Sequence, residues 1–166
     1  MIKTKTQKMV LVAMMMALTA ACTWLTRIPG IVPNGYVNFG DTILMFTALV
    51  LGPVAGFAAG SFGSALADIL LGFPGYAPIT FFVKGLEGLV CGLIYKKTKQ
   101  KYAIVATLSG GLLMVAGYFA AEYFYLGPAA AVADIFGNAL QGVINAVLVV
   151  LLNRALRKPV KKFISP

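Results

Sequence analysis

Six apolar stretches dominate the chain, at residues 9–25, 41–51, 54–71, 79–95, 102–124 and 130–153. They are continuous rather than alternating and rich in Leu, Ala, Val and Met, so they predict helices and not the strands of an outer-membrane barrel. Most approach the ~20 residues that a helix needs to cross a bilayer. Gly and Pro separate them. Pro29, Gly30, Pro33 and Gly35 stop the first helix, and Gly52-Pro53 ends one run and opens the next. Phe73-Pro74-Gly75 makes a further loop, and Gly127-Pro128 turns the chain before the last run. The predicted fold class is all-α: a single membrane domain over residues 1–166 with six transmembrane helices. The short second helix either begins within Asn38-Phe39-Gly40 or lies tilted among its neighbours.

Composition makes the membrane assignment firm. The chain is 60% hydrophobic and 11% charged, against roughly 25% charged residues in soluble domains. Polar, basic ends and the absence of a following soluble domain mark the first run as a retained span, not a cleaved signal. A net charge of +9 would suggest nucleic acid in a soluble protein, but twelve of the fourteen basic residues fall in three clusters beside the spans. These are Lys3, Lys5 and Lys8; Lys96, Lys97, Lys99 and Lys101; and Arg154, Arg157, Lys158, Lys161 and Lys162. Six spans put all three on one side, whereas reading residues 41–71 as one kinked helix would split them. The positive-inside rule then makes both termini cytoplasmic. Cys22 and Cys91 lie in apolar runs without Cys-x-x-Cys spacing, and there is no histidine. No disulfide framework, metal site or cofactor is expected.

Charged groups at membrane depth are costly, and each is a candidate functional residue. Under six spans Asp41, Asp68, Lys84, Glu87, Asp134 and Asn138 all fall in the outer half. Lys84 and Glu87 lie roughly 9 and 13 Å below Pro78 at ~1.5 Å per residue. Lys84 is placed to pair with Glu87 on its own helix or with Asp68 across helices. Asp134, Asn138, Gln141 and Asn145, spaced by four, three and four, form one polar stripe that should face the bundle interior. Singly, such groups are as well explained by locking helix register. Together with the loop aromatics Tyr36, Phe39 and Tyr76, they compose an outward-opening site for a small molecule. The fifth run also ends in aromatics, among them Tyr118, Tyr123 and Tyr125. The inner half offers no comparable polar path, which favours capture over conduction.

Ala13, Ala17 and Ala21 recur every four residues on the first helix. One Ala-x-x-x-Ala pair is ordinary packing, but three in register leave a groove for a partner helix. The chain has no Gly-x-x-x-x-Gly-Lys-Ser/Thr loop for ATP, no paired broken helices of a self-sufficient carrier and no Gly-x-Ser-x-Gly nucleophile. An enzyme is not expected. An autonomous secondary carrier and an intramembrane enzyme or scaffold remain as alternatives.

In these features the chain resembles the substrate-binding S components of energy-coupling factor (ECF) vitamin transporters. The resemblance rests on length, six helices with both ends inside, the ladder Ala13, Ala17, Ala21, and the outer run Tyr36-Val37-Asn38-Phe39-Gly40-Asp41. That run, followed by Gly52-Pro53, looks most like the branch for hydroxymethylpyrimidine or pyridoxine, with riboflavin as the alternative cargo. The resemblance implies a multi-pass protein of a prokaryotic plasma membrane that binds a vitamin outside. It implies as partners a transmembrane T subunit, docked on Ala13, Ala17 and Ala21, and two cytoplasmic ATPases. Substrate contacts are expected from Tyr36, Asn38, Phe39, Asp41, Asp68, Tyr76, Lys84, Glu87 and Asn138.

Overall fold

Thr4 opens the first helix, α1 (Lys5–Leu25), through a capping box in which its hydroxyl accepts from the Gln7 N–H and the Gln7 side chain accepts from the Thr4 N–H. The structure is a computed structural model that describes residues 4–30 and 36–164. Lys3, Pro33 and Gly35, used in the sequence reading, lie outside them. After α1 a short antiparallel pair, β1 (Ile28–Pro29) with β2 (Tyr36–Val37), leads into α2 (Gly40–Leu51). Then follow α3 (Pro53–Leu70), α4 (Ala77–Lys97), α5 (Ala103–Tyr125) and α6 (Pro128–Ile164).

Five of these six helices are long and apolar enough to cross a membrane, and α2, at 12 residues, is shorter. Its sequence explains how it is accommodated. Apolar on nearly all sides, it is a core helix, with Leu44, Met45, Phe46, Ala48 and Leu49 buried against Cys91, Tyr95, Ala106 and Val149. It packs on α1, α3, α4 and α6, and the other helices wrap around it. Gly52, at φ 98°, reverses the chain into α3, where Pro53 takes the first turn.

α3 is not a plain α-helix. Ala59–Ser64 form a wider π-helical turn, a device that reorients side chains without ending a helix. At this turn α3 and α4 meet backbone to backbone, since a Cβ on Gly60 would lie 2.2 Å from the Lys84 carbonyl oxygen. Gly56 and Gly60 are therefore internal packing residues.

α6 runs well past the apolar stretch that ends at Asn153, through Arg154–Lys158, which are good helix formers, and on through Pro159 to Ile164. Its 37 residues reach roughly 55 Å, against a hydrocarbon layer of about 30 Å. There Arg157 donates to the Gln100 side chain at 2.6 Å and lies over the Tyr95 ring, tying the tail to the α4–α5 loop. Because successive helices alternate in direction, the end of α1 and the starts of α2, α4 and α6 gather at one pole with the ends of α3 and α5. The described basic clusters gather at the other.

Candidate functional site

At the first pole the polar residues converge on one narrow cleft, whose walls enclose about 420 Å³ counted out to open solvent. Each wall is the end of an element: Thr23 of α1, Tyr36 and Asn38 of the loop, Ser64 and Asp68 of α3, Thr80 and Lys84 of α4, Tyr118 and Glu122 of α5, and Asp134, Asn138 and Gln141 of α6. The π-helical turn of α3 ends on Ser64, one turn before Asp68.

Beneath the cleft lies a fully buried ion cluster. The Lys84 ammonium donates to Asp41 Oδ1 at 2.6 Å and stands 3.3 Å from Glu87 Oε2. The Gln141 amide donates to the other Asp41 oxygen at 2.6 Å and accepts from the Asn38 N–H at 2.8 Å. Asn145 accepts from the Thr42 N–H and hydroxyl and donates to the Asn38 carbonyl. The α6 stripe thus faces inward, and its lower members hold the start of α2 in place. Asn38 completes the turn by accepting from the Gly40 N–H at 2.8 Å.

Along the walls, the Tyr36 hydroxyl donates to Asp68 Oδ1, Asn138 donates to Asp134 at 2.8 Å, and Thr80 bonds Tyr118 at 3.0 Å. Glu122 and Asp134 face each other within hydrogen-bonding reach. Above, Tyr36 stacks on Phe73, whose ring also lies under the Arg27 guanidinium. Tyr76 meets Tyr125 edge to face. Burial, then the neighbouring Asp68 charge, holds the Tyr36 phenol well above its ordinary range. Burial and Glu122 push Tyr76 up to about 12. Both therefore remain protonated donors at neutral pH.

Several cleft groups have bonding capacity left over. Thr23 Oγ1, Ser64 Oγ, Asp68 Oδ2 and the Tyr76 hydroxyl are buried without a hydrogen-bond partner among the described residues, and Glu122 Oε2 receives no donor there. Buried polar groups in folded proteins are nearly all satisfied, so five open ones around a single cleft mark a place for a ligand. The electrostatics narrow its kind. All five Asp and Glu side chains lie in or just beneath the cleft, where Lys84 is the one cation among the described lining residues and Arg27 stands farther out over the Phe73 ring.

Of the residues expected from sequence, Tyr36, Asn38, Asp68, Tyr76, Lys84 and Asn138 line the cleft. Asp41 and Glu87 sit one layer below as the partners of Lys84. Lys84 takes Asp41 and Glu87, while Asp68 is taken up by Tyr36. Phe39 is not brought to the cleft; it borders an apolar furrow with Cys22, Ile43 and Leu148 on the outside of the bundle. Thr23, Ser64, Thr80, Tyr118 and Glu122 line the cleft without having been expected there. For Glu122 a signal existed, since it is the one acid in the fifth apolar run. For the hydroxyl residues there was none, because Ser and Thr are common in membrane helices.

Comparison with known proteins agrees with this architecture. The family model described as "ECF-type riboflavin transporter, S component" matches residues 3–158. A Pyrococcus woesei protein described as "Uncharacterized protein in gap 3'region" is 39% identical over 145 residues, covering 87% of this chain and 95% of that protein. Among solved structures, the one titled "Structure and mechanism of the S component of a bacterial ECF transporter" superposes with a TM-score of 0.81 at 20% identity, over 95% of this chain and 99% of that one. This last likeness is one of fold. Together with a family match over nearly the whole length, it establishes that the chain belongs to the S components of ECF-type transporters.

Proposed function

We propose that the cleft captures a small heteroaromatic vitamin or precursor of the hydroxymethylpyrimidine or pyridoxine class on the outer side of a prokaryotic plasma membrane. S components are substrate-binding transporter subunits rather than enzymes, and they work with a T subunit and ATPases in the ECF module. The observation that carries the cargo reading is the set of buried, unpaired groups, the carboxylate oxygens of Asp68 and Glu122 and the hydroxyls of Thr23, Ser64 and Tyr76, around an acidic cleft walled by tyrosines. Such a site wants a flat ring bearing hydroxyl, amine or ring N–H donors, and it disfavours a carboxylate or phosphate. Tyr36, Tyr76 and Tyr118 supply ring contacts; Asp68, Glu122 and Asn138 accept; Asn38, Asp41, Lys84 and Glu87 hold the floor.

Release of cargo is assigned to docking of α1 on the T subunit through Ala13, Ala17 and Ala21. All three are exposed, while Thr19, Ala20 and Thr23 on the same helix turn inward. The ladder is thus free for another chain.

Riboflavin is the second reading, favoured by the description of the matching family model. Calorimetric titration of the purified chain with hydroxymethylpyrimidine, pyridoxine, riboflavin and biotin decides between them. Nanomolar-class binding of a hydroxymethyl-bearing single ring is expected, about −12 kcal/mol at 1 nM. Binding of riboflavin alone would move the assignment to the second reading. Binding of biotin alone would overturn the charge argument.

A further inference from the structure

The pole opposite the cleft carries a second hollow that vitamin capture does not use. It opens between the α4–α5 loop, the start of α5 and the tail of α6, with a volume of about 1140 Å³ counted to its mouth. Lys101, Arg154 and Lys158 border it, all exposed. Every Asp and Glu side chain is at or near the other pole, so these cations have no acidic side chain to answer them. α5 begins here on Tyr102 with no side-chain cap, so the helix adds its own partial positive charge. At the floor lies Asn153, 5% exposed, whose amide donates to the Tyr95 hydroxyl and whose carbonyl oxygen lacks a hydrogen-bond partner among the described residues, an acceptor that suits a hydroxyl donor rather than an anion.

The surface above the hollow has the opposite character. Ile104, Leu108 and Leu112, four apart on α5, are exposed on the same side as Val143, Val147 and Arg154 of α6. Between the helices Gly111 meets Gly142, where a Cβ on Gly111 would lie 3.2 Å from the Gly142 Cα. Beside this close contact lies an open apolar furrow of about 840 Å³, counted out to its mouth, lined by Leu108, Leu112 and Val143. From Lys101 to Leu112 the climb is roughly 16 Å, about the depth of one leaflet.

We propose that this α5–α6 face binds one anionic phospholipid of the leaflet at the basic pole, its phosphate in the hollow against Lys101, Arg154 and Lys158 and an acyl chain in the furrow above. Cation-lined pockets between helices at a membrane surface suit such headgroups, and the site rests on charge and shape, independently of which vitamin the cleft takes.

Native mass spectrometry of the purified full chain in detergent, titrated with phosphatidylglycerol, phosphatidylcholine or inorganic phosphate, tests it. One phosphatidylglycerol should be retained roughly tenfold or more tightly than phosphatidylcholine, and the preference should fall by a similar factor in Arg154→Gln/Lys158→Gln. Leu108→Trp, which fills the furrow without changing charge, should also weaken retention. Lys5→Gln/Lys8→Gln, on the first helix, should not. Equal retention of the two lipids, or an equal loss in the Lys5/Lys8 variant, would overturn a built site. Displacement of the lipid by phosphate, with Leu108→Trp unaffected, would assign the hollow to a free anion and overturn the lipid.

Discussion

Lys84 is the residue on which the cleft floor depends. Its ammonium is buried between Asp41 and Glu87, one cation serving two carboxylates. Removing one partner from such a cluster is costlier than never having built it, because the remaining charges stay buried without compensation. Lys84→Met should therefore destabilise the protein by about 3–5 kcal/mol, read as a lowered denaturation midpoint in detergent. A midpoint unchanged from the parent would mean that the carboxylates are relieved by something other than Lys84. Asp68→Asn tests the wall instead of the floor. It keeps the shape and an acceptor for the Tyr36 hydroxyl but gives up the open carboxylate oxygen. Cargo affinity should drop about tenfold, roughly 1.4 kcal/mol, with the unfolding midpoint nearly preserved. Parallel losses in both readouts would make Asp68 a structural residue. The Lys84–Glu87 partnership was legible in the chain, being a three-residue spacing on one helix. The Lys84–Asp41 bond was not, because those residues are 43 apart in sequence and meet only once α2 has docked.

At the scale of elements, α1 has two faces with separate tasks. Inward, Thr19, Ala20 and Thr23 are buried, and the helix lies so close to α3 that a Cβ on Gly63 would sit 2.7 Å from the Met16 carbonyl oxygen. Outward, the alanine ladder is exposed, with nothing among the described residues covering it. A bulky residue should thus act differently at two positions three residues apart. Ala17→Trp should leave the cargo affinity of the isolated chain within about twofold, under about 0.5 kcal/mol, yet abolish uptake by cells that also express the T subunit and ATPases. Ala20→Trp overpacks the interior and should lower stability by about 1–3 kcal/mol. Sustained uptake in Ala17→Trp would remove the docking role from this face. The ladder's spacing was readable because helix period alone puts i, i+4 and i+8 together. Two other features of the elements were not readable: the π-helical turn in α3 depends on how Gly60 and Gly63 meet their neighbours, and the extension of α6 to Ile164 lies where no hydrophobic period operates.

The whole molecule is polarised, acidic at the cleft and basic at the far end, and this decides how it should sit in a membrane. The short link is α2, whose 12 residues span only about 18 Å of a roughly 30 Å layer. Its lower end provides an argument that length alone does not. The turn after it packs on α4 at Gly92, where an added Cβ would lie 2.5 Å from the Pro53 Cα. Gly92 is five residues before the end of α4 at Lys97, so the turn stops about 8 Å short of the basic pole. α2 therefore carries the chain most of the way through, and its loop, shielded by surrounding helices, makes up the rest. We propose on this ground six crossings, with Lys8 and Lys97 on the same side. In a Cys22→Ser/Cys91→Ala background, a membrane-impermeant maleimide applied to intact cells should label Pro74→Cys, beside the cleft, but neither Lys8→Cys nor Lys97→Cys until the cells are opened. Labelling of Lys8→Cys and Lys97→Cys from opposite sides would reduce the crossings to five. Labelling of both from outside would invert the molecule, and an inverted cleft would face the cytoplasm, where it could not collect a vitamin from the medium.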